Sequence, residues 1–230
     1  MKKWTKKQKE EFRRRFVIVS AVTLIFILVL TGGLSVYQNI MKSSSPPVPT
    51  AEPAKYKVPK PEMQEALLTK NPNSRPGILL EQVRGVVIHY TANPGTDAMA
   101  NRNYFEGRKN MEESVQNKVS SHFVIGLDGT IIQCIPLEEI AYASNDRNRD
   151  TISIECCHPG KSGKFTKETK DSLISLTAWL CGQYFLQKKD IIRHYDVTGK
   201  SCPKYYVKHP RKWEALQETV IEEMKKYKVN

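Results

Sequence analysis

Short β-branched runs alternate along this chain with longer segments of helical periodicity, and that alternation limits the fold more than any other feature. A buried strand has a short apolar run, whereas an amphipathic helix repeats its apolar residues every three or four positions. The predicted strands lie at residues 85–90, 121–126, 130–135, 151–156 and 191–194. The predicted helices lie at residues 62–68, 97–108, 166–186 and 213–227. This alternation predicts an α/β fold with a central mixed sheet flanked by helices, and Asp128-Gly129 predicts a hairpin turn within it.

The length of 230 residues suits one ordinary domain with extensions. Ser, Pro and Lys dominate between the N-terminal apolar run and the first predicted helix, and such a segment favours an extended spacer. The predicted organisation is a basic cytoplasmic segment, a membrane helix, a linker and a catalytic domain, at residues 1–15, 16–36, 37–61 and 62–230.

The N-terminal apolar run, residues 16–36, contains no charged side chain over 21 positions. About 20 apolar residues cross a bilayer as a helix. Eight basic residues precede the run and only Lys42 follows closely, so the positive-inside rule places the N-terminus in the cytoplasm and the rest outside. We therefore predict a single-pass protein of the cell membrane. A cleaved signal peptide, which would leave a secreted domain, and a buried core helix are the alternatives.

The formal net charge is +12, and residues 1–41 carry eight Lys or Arg and two Glu, giving +6 of it. A membrane surface or an anionic polymer fits this excess. No basic stripe interleaved with aromatic residues follows, so we expect no nucleic-acid partner.

The five cysteines form no C-x-x-C pair. If Cys202 binds a metal ion, the other four could form two disulfides, one or none. Cys134 and Cys181 also fit the alternative of small buried apolar residues.

Three residues with metal-ligating side chains lie at or after predicted strand ends. His89 closes the first strand, His194 closes the last, and Cys202 follows eight residues later. Two imidazoles and a thiolate suit zinc, and three protein ligands leave the fourth tetrahedral position open, as in catalytic sites. Taken singly, each histidine also fits a hydrogen-bonded structural role. A closed structural zinc site is disfavoured, because no short paired ligand spacing is present.

Four segments together resemble the N-acetylmuramoyl-L-alanine amidase family 2, whose fold is shared with peptidoglycan recognition proteins and phage amidase lysozymes. They are V-V-I-H-Y-T-A at 86–92, S-S-H-F at 120–123 with D-G-T at 128–130, T-I-S-I-E at 151–155 and R-H-Y-D-V-T-G-K-S-C-P at 193–203. The resemblance covers roughly residues 80–215. It implies zinc-dependent hydrolysis of the amide between N-acetylmuramic acid and L-alanine in peptidoglycan.

The resemblance also implies roles for single residues. The zinc ligands match His89, His194 and Cys202, while Glu155 matches a general base and Lys200 a donor to the developing oxyanion. The chemistry agrees, because a carboxylate beside a metal-bound water can take its proton and a fixed ammonium stabilises transition-state charge. Glu155 also fits a solvent-facing carboxylate, and Lys200 a solvated loop lysine.

Some relatives carry a tyrosine at the position of Ser121, so its absence here favours Glu155 as the base. His122 and Asn93 are candidate substrate-binding residues, and the segment 145–149 is a candidate contact loop; a purely structural role is the alternative for His122. We expect His158 and His209 at the surface.

Two other functions remain open. A peptidoglycan-binding module with this fold would bind wall fragments without cutting them, and a cytoplasmic recycling amidase would act on soluble fragments. The presence of Cys202, Glu155 and Lys200 together favours hydrolysis over binding alone, and the N-terminal apolar run argues against the cytoplasmic enzyme.

Overall fold

A computed structural model describes residues 56–229, whose centre is a six-stranded sheet. The strands are β1 (Gln64–Glu65), β2 (Gly85–Tyr90), β3 (Phe123–Ile125), β4 (Ile131–Gln133), β5 (Thr151–Cys156) and β6 (Ile191–Arg193). They are arranged in the order β1-β4-β3-β5-β2-β6. Only β3 and β4 pair antiparallel, and every other neighbouring pair is parallel. The predicted mixed sheet is therefore confirmed.

Five α-helices accompany the sheet in the described residues: α1 (Ala98–Gly107), α2 (Lys167–Tyr184), α3 (His194–Thr198), α4 (Lys204–Lys208) and α5 (Pro210–Lys225). The longest, α2, begins where Thr166 accepts a hydrogen bond from the backbone N–H of Thr169, and α1 begins where Asp97 accepts one from Ala100. Such side-chain caps satisfy N–H groups that the first helical turn leaves without a partner. The three longest helices are the predicted ones, with shifted ends.

Apolar side chains fill both faces of the sheet, which gives three layers. On one face α2 and α5 pack against β2, β3 and β5, through Val86, Ile88, Phe123, Ile152, Ile154, Leu176, Leu180, Leu216 and Val220. On the other face α1 packs through Ala98 and Phe105 against Val124 and Ile132. Because the central strands β2 and β3 are covered on both faces, each contains a continuous apolar run. The central strand β5 instead alternates Ile152 and Ile154 with the polar residues Ser153 and Glu155.

The predicted helix at residues 62–68 is wrong. This segment instead forms the short edge strand β1, with Gln64 opposite Ile132. The backbone N–H of Leu68 continues the pairing by donating to the carbonyl of Cys134 at 2.8 Å. Pairing with β4 therefore overrides the local helical pattern.

The last predicted strand is one residue too long. β6 ends at Arg193, and His194 is the first residue of α3. Asp196 accepts a hydrogen bond from the backbone N–H of Arg193, which favours the start of a helix at this point.

The segment that precedes β1 pairs with the residues that follow α5. Tyr56 forms an antiparallel bridge with Lys228, and the backbone N–H of Lys57 donates to Tyr227 at 2.9 Å. Val58 packs against the same core as α2 and α5. Residues 56–61, which belong to the predicted linker, thus lie on the domain.

The predicted location in the cell membrane needs correction. Between residues 56 and 229, no helix is both long enough and apolar enough to cross a bilayer. Even α2, the longest, carries charged side chains in its first turns, among them Lys167, Lys170 and Asp171. The predicted span at residues 16–36 lies outside the described residues.

All five cysteines are buried and free. The sequence alone left open two disulfides, one or none, and the structure has none among these cysteines. Cys134 and Cys181 lie fully inside the apolar core, as small apolar residues do.

Candidate metal centre

Three parallel strands end side by side at one edge of the sheet, and this edge gathers the candidate site. In the pairing of β2 with β5, His89 lies opposite Glu155. On the other side of β2, Ile88 lies opposite Arg193, so His194 follows at the same edge. Ligands of open α/β sheets bind outside the carboxyl ends of the strands. The register of the sheet thus brings together residues that are more than a hundred positions apart in sequence.

Cys202 reaches the same edge through a tight reversal after α3. Gly199 ends the helix with φ of 75°, a left-handed conformation that glycine adopts without steric cost. The backbone N–H of Tyr195 then donates to the carbonyl of Cys202 at 2.9 Å. This hydrogen bond holds the returning chain beside the start of α3, and the Cys202 side chain is buried there.

The donor atoms of His89, His194 and Cys202 all lie within 4.8 Å of one another. The Cys202 Sγ atom is 3.8 Å from His89 Nδ1, and the two imidazole rings have centroids 4.7 Å apart. A tetrahedral zinc ion would hold a sulfur and a nitrogen ligand about 3.6 Å apart. The three donors therefore fit one zinc ion with little adjustment.

Hydrogen bonds at the far ring nitrogens orient both imidazoles. His89 Nε2 lies 3.2 Å from the Ser144 hydroxyl, and His194 Nε2 lies 3.3 Å from the Asn145 side-chain oxygen. The Asn145 oxygen accepts the N–H of His194, which leaves Nδ1 of that ring as the lone-pair donor. Metal-binding histidines generally have such partners, which fix the tautomer and the ring orientation.

The electrostatics of the cluster favour neutral imidazoles. Burial lowers the pKa of His89 well below its ordinary value, and the charges of His194 and Lys200 lower it further. Burial and Lys200 also lower the pKa of His194. Because only neutral imidazole can bind a metal ion, the two rings are poised as ligands.

Glu155 lies beside the cluster in a largely buried position. Its side chain is 17% exposed, and Oε1 is 3.9 Å from His89 Nδ1. Oε2 is buried and has no hydrogen-bond partner among the described residues. Burial raises the pKa of Glu155 to about 7, although the charge of Lys200 opposes the rise. A carboxyl group in this state can exchange a proton near neutral pH.

Lys200 is exposed on the loop that joins α3 to Cys202. Its backbone N–H donates to the Thr198 hydroxyl at 3.3 Å, so the loop has a defined shape at this point. Its positive charge lowers the pKa of both histidines and of Glu155.

His122 is held in a separate buried network. The backbone N–H of Ser153 donates to His122 Nδ1 at 3.0 Å, and Nε2 lies 2.9 Å from the backbone carbonyl of Glu139. Both ring nitrogens therefore have protein partners, which leaves none for a substrate and supports the structural alternative for His122. Asn93 is exposed on the loop after β2.

His158 was expected at the surface, and this prediction is wrong. The residue is 1% exposed, its Nδ1 lies 2.8 Å from the carbonyl of Gly160, and its ring packs on Tyr90 with centroids 5.1 Å apart. His209 is exposed, as predicted.

The hydroxyl of Ser144 and the amide of Asn145 were missed as partners of the ligand rings. Both follow Ala143 in a polar stretch, S-N-D-R-N-R-D, that gives no metal-site signal. Only the folded arrangement shows that this stretch lies against the ends of β2 and β6.

Comparison with known proteins identifies the family. A family model described as N-acetylmuramoyl-L-alanine amidase matches residues 79–205, which is more than half of the chain. The chain belongs to this family. The matched segment contains the whole metal cluster together with Glu155 and Lys200.

Curated relatives agree with the family. The chain is 38% identical over 151 residues to the N-acetylmuramoyl-L-alanine amidase CwlL of Bacillus licheniformis, a match that covers 60% of this chain and 40% of that protein. It is 33% identical over 164 residues to the N-acetylmuramoyl-L-alanine amidase BlyA of Bacillus subtilis (strain 168), covering 62% and 42%. The chain therefore spans less than half the length of these relatives.

Solved structures show the same architecture. PlyL superposes with a TM-score of 0.59 at 26% identity, covering 70% of this chain and 97% of that one. The PlyG catalytic domain gives the same TM-score at 27% identity, covering 70% and 94%. The mixed α/β fold of this chain is thus the PlyL-type fold.

Proposed function

We propose that this protein hydrolyses the amide between N-acetylmuramic acid and L-alanine of peptidoglycan, using one zinc ion bound by His89, His194 and Cys202. The observation that carries the proposal is the convergence of these three donors within 4.8 Å, with the carboxylate of Glu155 beside them. The family supports the substrate, and the donor set supports the metal. Bound zinc supplies a Lewis acid that polarises a carbonyl and lowers the pKa of water.

Glu155 acts as the general base in this proposal. Water adds to the carbonyl carbon of the amide as the carboxylate takes its proton. The carbon–nitrogen bond then breaks, and the proton passes from Glu155 to the departing amine of L-alanine. The products are the free lactyl carboxylate of the sugar and a peptide with a new amino terminus. The buried, unpartnered Oε2 of Glu155 suits a group whose hydrogen bond forms only with a reactant.

Lys200 stabilises the negative charge that develops on the carbonyl oxygen. Its ammonium group acts on the cluster from an exposed loop, where it can meet a polymer that approaches from solvent. A donor directed at charge that appears only in the transition state lowers the barrier without tightening substrate binding.

Purified peptidoglycan provides the direct test. We expect the full chain to release new L-alanine amino termini and to contain about one zinc per chain, as a three-ligand catalytic site requires. Zinc without any release would contradict hydrolysis and favour a peptidoglycan-binding module of the same fold. Release that persists after complete removal of metal would contradict the role of zinc.

Matched variants separate the roles of the residues. Cys202→Ser is expected to lose both zinc and activity, whereas Cys181→Ser, a change at another buried free cysteine, keeps both. Glu155→Gln is expected to keep zinc and lose at least about a hundredfold in kcat, the scale of general-base catalysis. An active Glu155→Gln variant would show that another group takes the proton.

A further inference from the structure

A cavity of about 570 Å³ lies between the start of α2 and the helices α4 and α5. None of the residues that line it belongs to the metal cluster. Its volume falls within the range of small-molecule sites in proteins. Phe165, Ile174 and Leu216, all buried, supply an apolar floor.

Four lysines surround this apolar floor: Lys164, Lys167, Lys170 and Lys212. No acidic residue lines the cavity. Lys167 is paired with Asp171, at 2.6 Å. In residues 56–229, the lysines that form ion pairs with carboxylates are Lys70, Lys109, Lys118, Lys167, Lys188 and Lys226. The cavity therefore collects three ammonium groups that have no carboxylate partner in this part of the chain.

The lysines lie at the starts of two helices. Lys167 and Lys170 lie in the first turn of α2, which also carries Glu168, and Lys212 lies in the first turn of α5, which carries no acidic residue. The N-terminus of a helix carries partial positive charge, which repels cations and attracts anions. The start of α5 thus adds to the positive potential of Lys212, and a bound anion would offset the repulsion between them.

We propose that this cavity binds an anionic polyol chain linked by phosphodiesters. Phosphates of such a chain would meet the unpaired ammonium groups, since lysine binds phosphate as a point charge. Its carbon backbone would lie on the apolar floor and the ring of Tyr205. The site would hold the protein on an anionic polymer, separately from the metal cluster.

A synthetic hexamer of glycerol phosphate tests this proposal by calorimetric titration of the full chain. We expect binding that weakens as salt is raised, because ammonium–phosphate contacts are screened. Lys170→Gln with Lys212→Gln should weaken binding at least about tenfold, through loss of two such contacts. The control, Lys57→Gln with Lys225→Gln, removes the same charge from exposed positions outside the cavity and should change affinity less than about twofold.

Several results would overturn the proposal. Equal weakening in both double variants would mean attraction by net charge alone. Equally tight binding of poly-L-glutamate would mean that phosphate is not what the site selects. Binding to phosphatidylglycerol vesicles without binding of the free hexamer would assign the cavity to a lipid surface. Because the titration contains no peptidoglycan, a negative amidase assay would leave its outcome unaffected.

Discussion

His122 makes the stability of the domain sensitive to acid. Its ring is 1% exposed and is held neutral by an N–H donated from Ser153 and by the carbonyl of Glu139. Burial lowers the pKa of His122 to about 4, although the backbone hydrogen bond and the charge of Glu139 oppose this. The unfolded chain keeps the ordinary value of about 6.5.

The sign of the effect follows from these two pKa values. Between pH 6.5 and pH 4 the unfolded state binds more protons than the folded state, so the free energy of unfolding decreases as pH falls. The contribution of neutral His122 to the free energy of unfolding is fully present above the unfolded-state pKa. Its loss is largest near and below the folded-state pKa. From pH 7 to pH 5, one such histidine lowers the free energy of unfolding by about 2 kcal/mol.

Urea unfolding followed by tryptophan fluorescence measures this effect. His122→Gln should begin less stable at pH 7, because it disturbs two buried hydrogen bonds, but should lose about 2 kcal/mol less than the parent between pH 7 and pH 5. The other histidines are the same in both proteins, so their contributions cancel in the comparison. His209→Gln, at an exposed position, should follow the parent. Parallel losses in His122→Gln and the parent would refute the assignment of a neutral, buried His122.

The same unfolding assay checks three packing predictions. Gly85→Ala should lower the free energy of unfolding by about 1–3 kcal/mol, because the added Cβ would lie 2.8 Å from the backbone carbonyl oxygen of Asp190. In the control, Gly107→Ala, the added Cβ meets open space and should not destabilise the protein. Equal stability of the two variants would refute this prediction. Thr166→Ala should cost about 1 kcal/mol by removing the cap of α2. Leu176→Ala should lower the free energy of unfolding by about 2–5 kcal/mol, because this side chain is fully buried in the core. A smaller loss would mean that neighbouring side chains move into the space that the shorter side chain leaves.

The central strands and long helices could be predicted because their local pattern agrees with their burial. β2 and β5 are buried along most of their length, and each has a core of β-branched residues: Val86, Val87 and Ile88 in β2, and Thr151, Ile152 and Ile154 in β5. Residues 62–68 could not be assigned in this way. Their strand exists only through pairing with β4, a contact between segments more than sixty residues apart.

Some residues of the candidate site could be predicted from the sequence and others could not. The sequence could suggest His89, His194 and Cys202 as candidate ligands because their side-chain types are rare and lie at or after strand ends. Ser144 and Asn145 could not, because a polar loop has no periodicity and their role depends on where that loop packs. His158 was misplaced for a related reason: its burial depends on the ring of Tyr90, which no local pattern reports.

The register that sets His89 opposite Glu155 has a consequence for how this sequence can vary. Backbone hydrogen bonds fix the separation of His89 and Glu155, so conservative apolar exchanges inside β2 or β5 leave it intact. A single inserted or deleted residue in either strand would turn one of the two side chains to the opposite face of the sheet. Length changes should therefore be accepted in the exposed segment at residues 109–116 and rejected in these two strands.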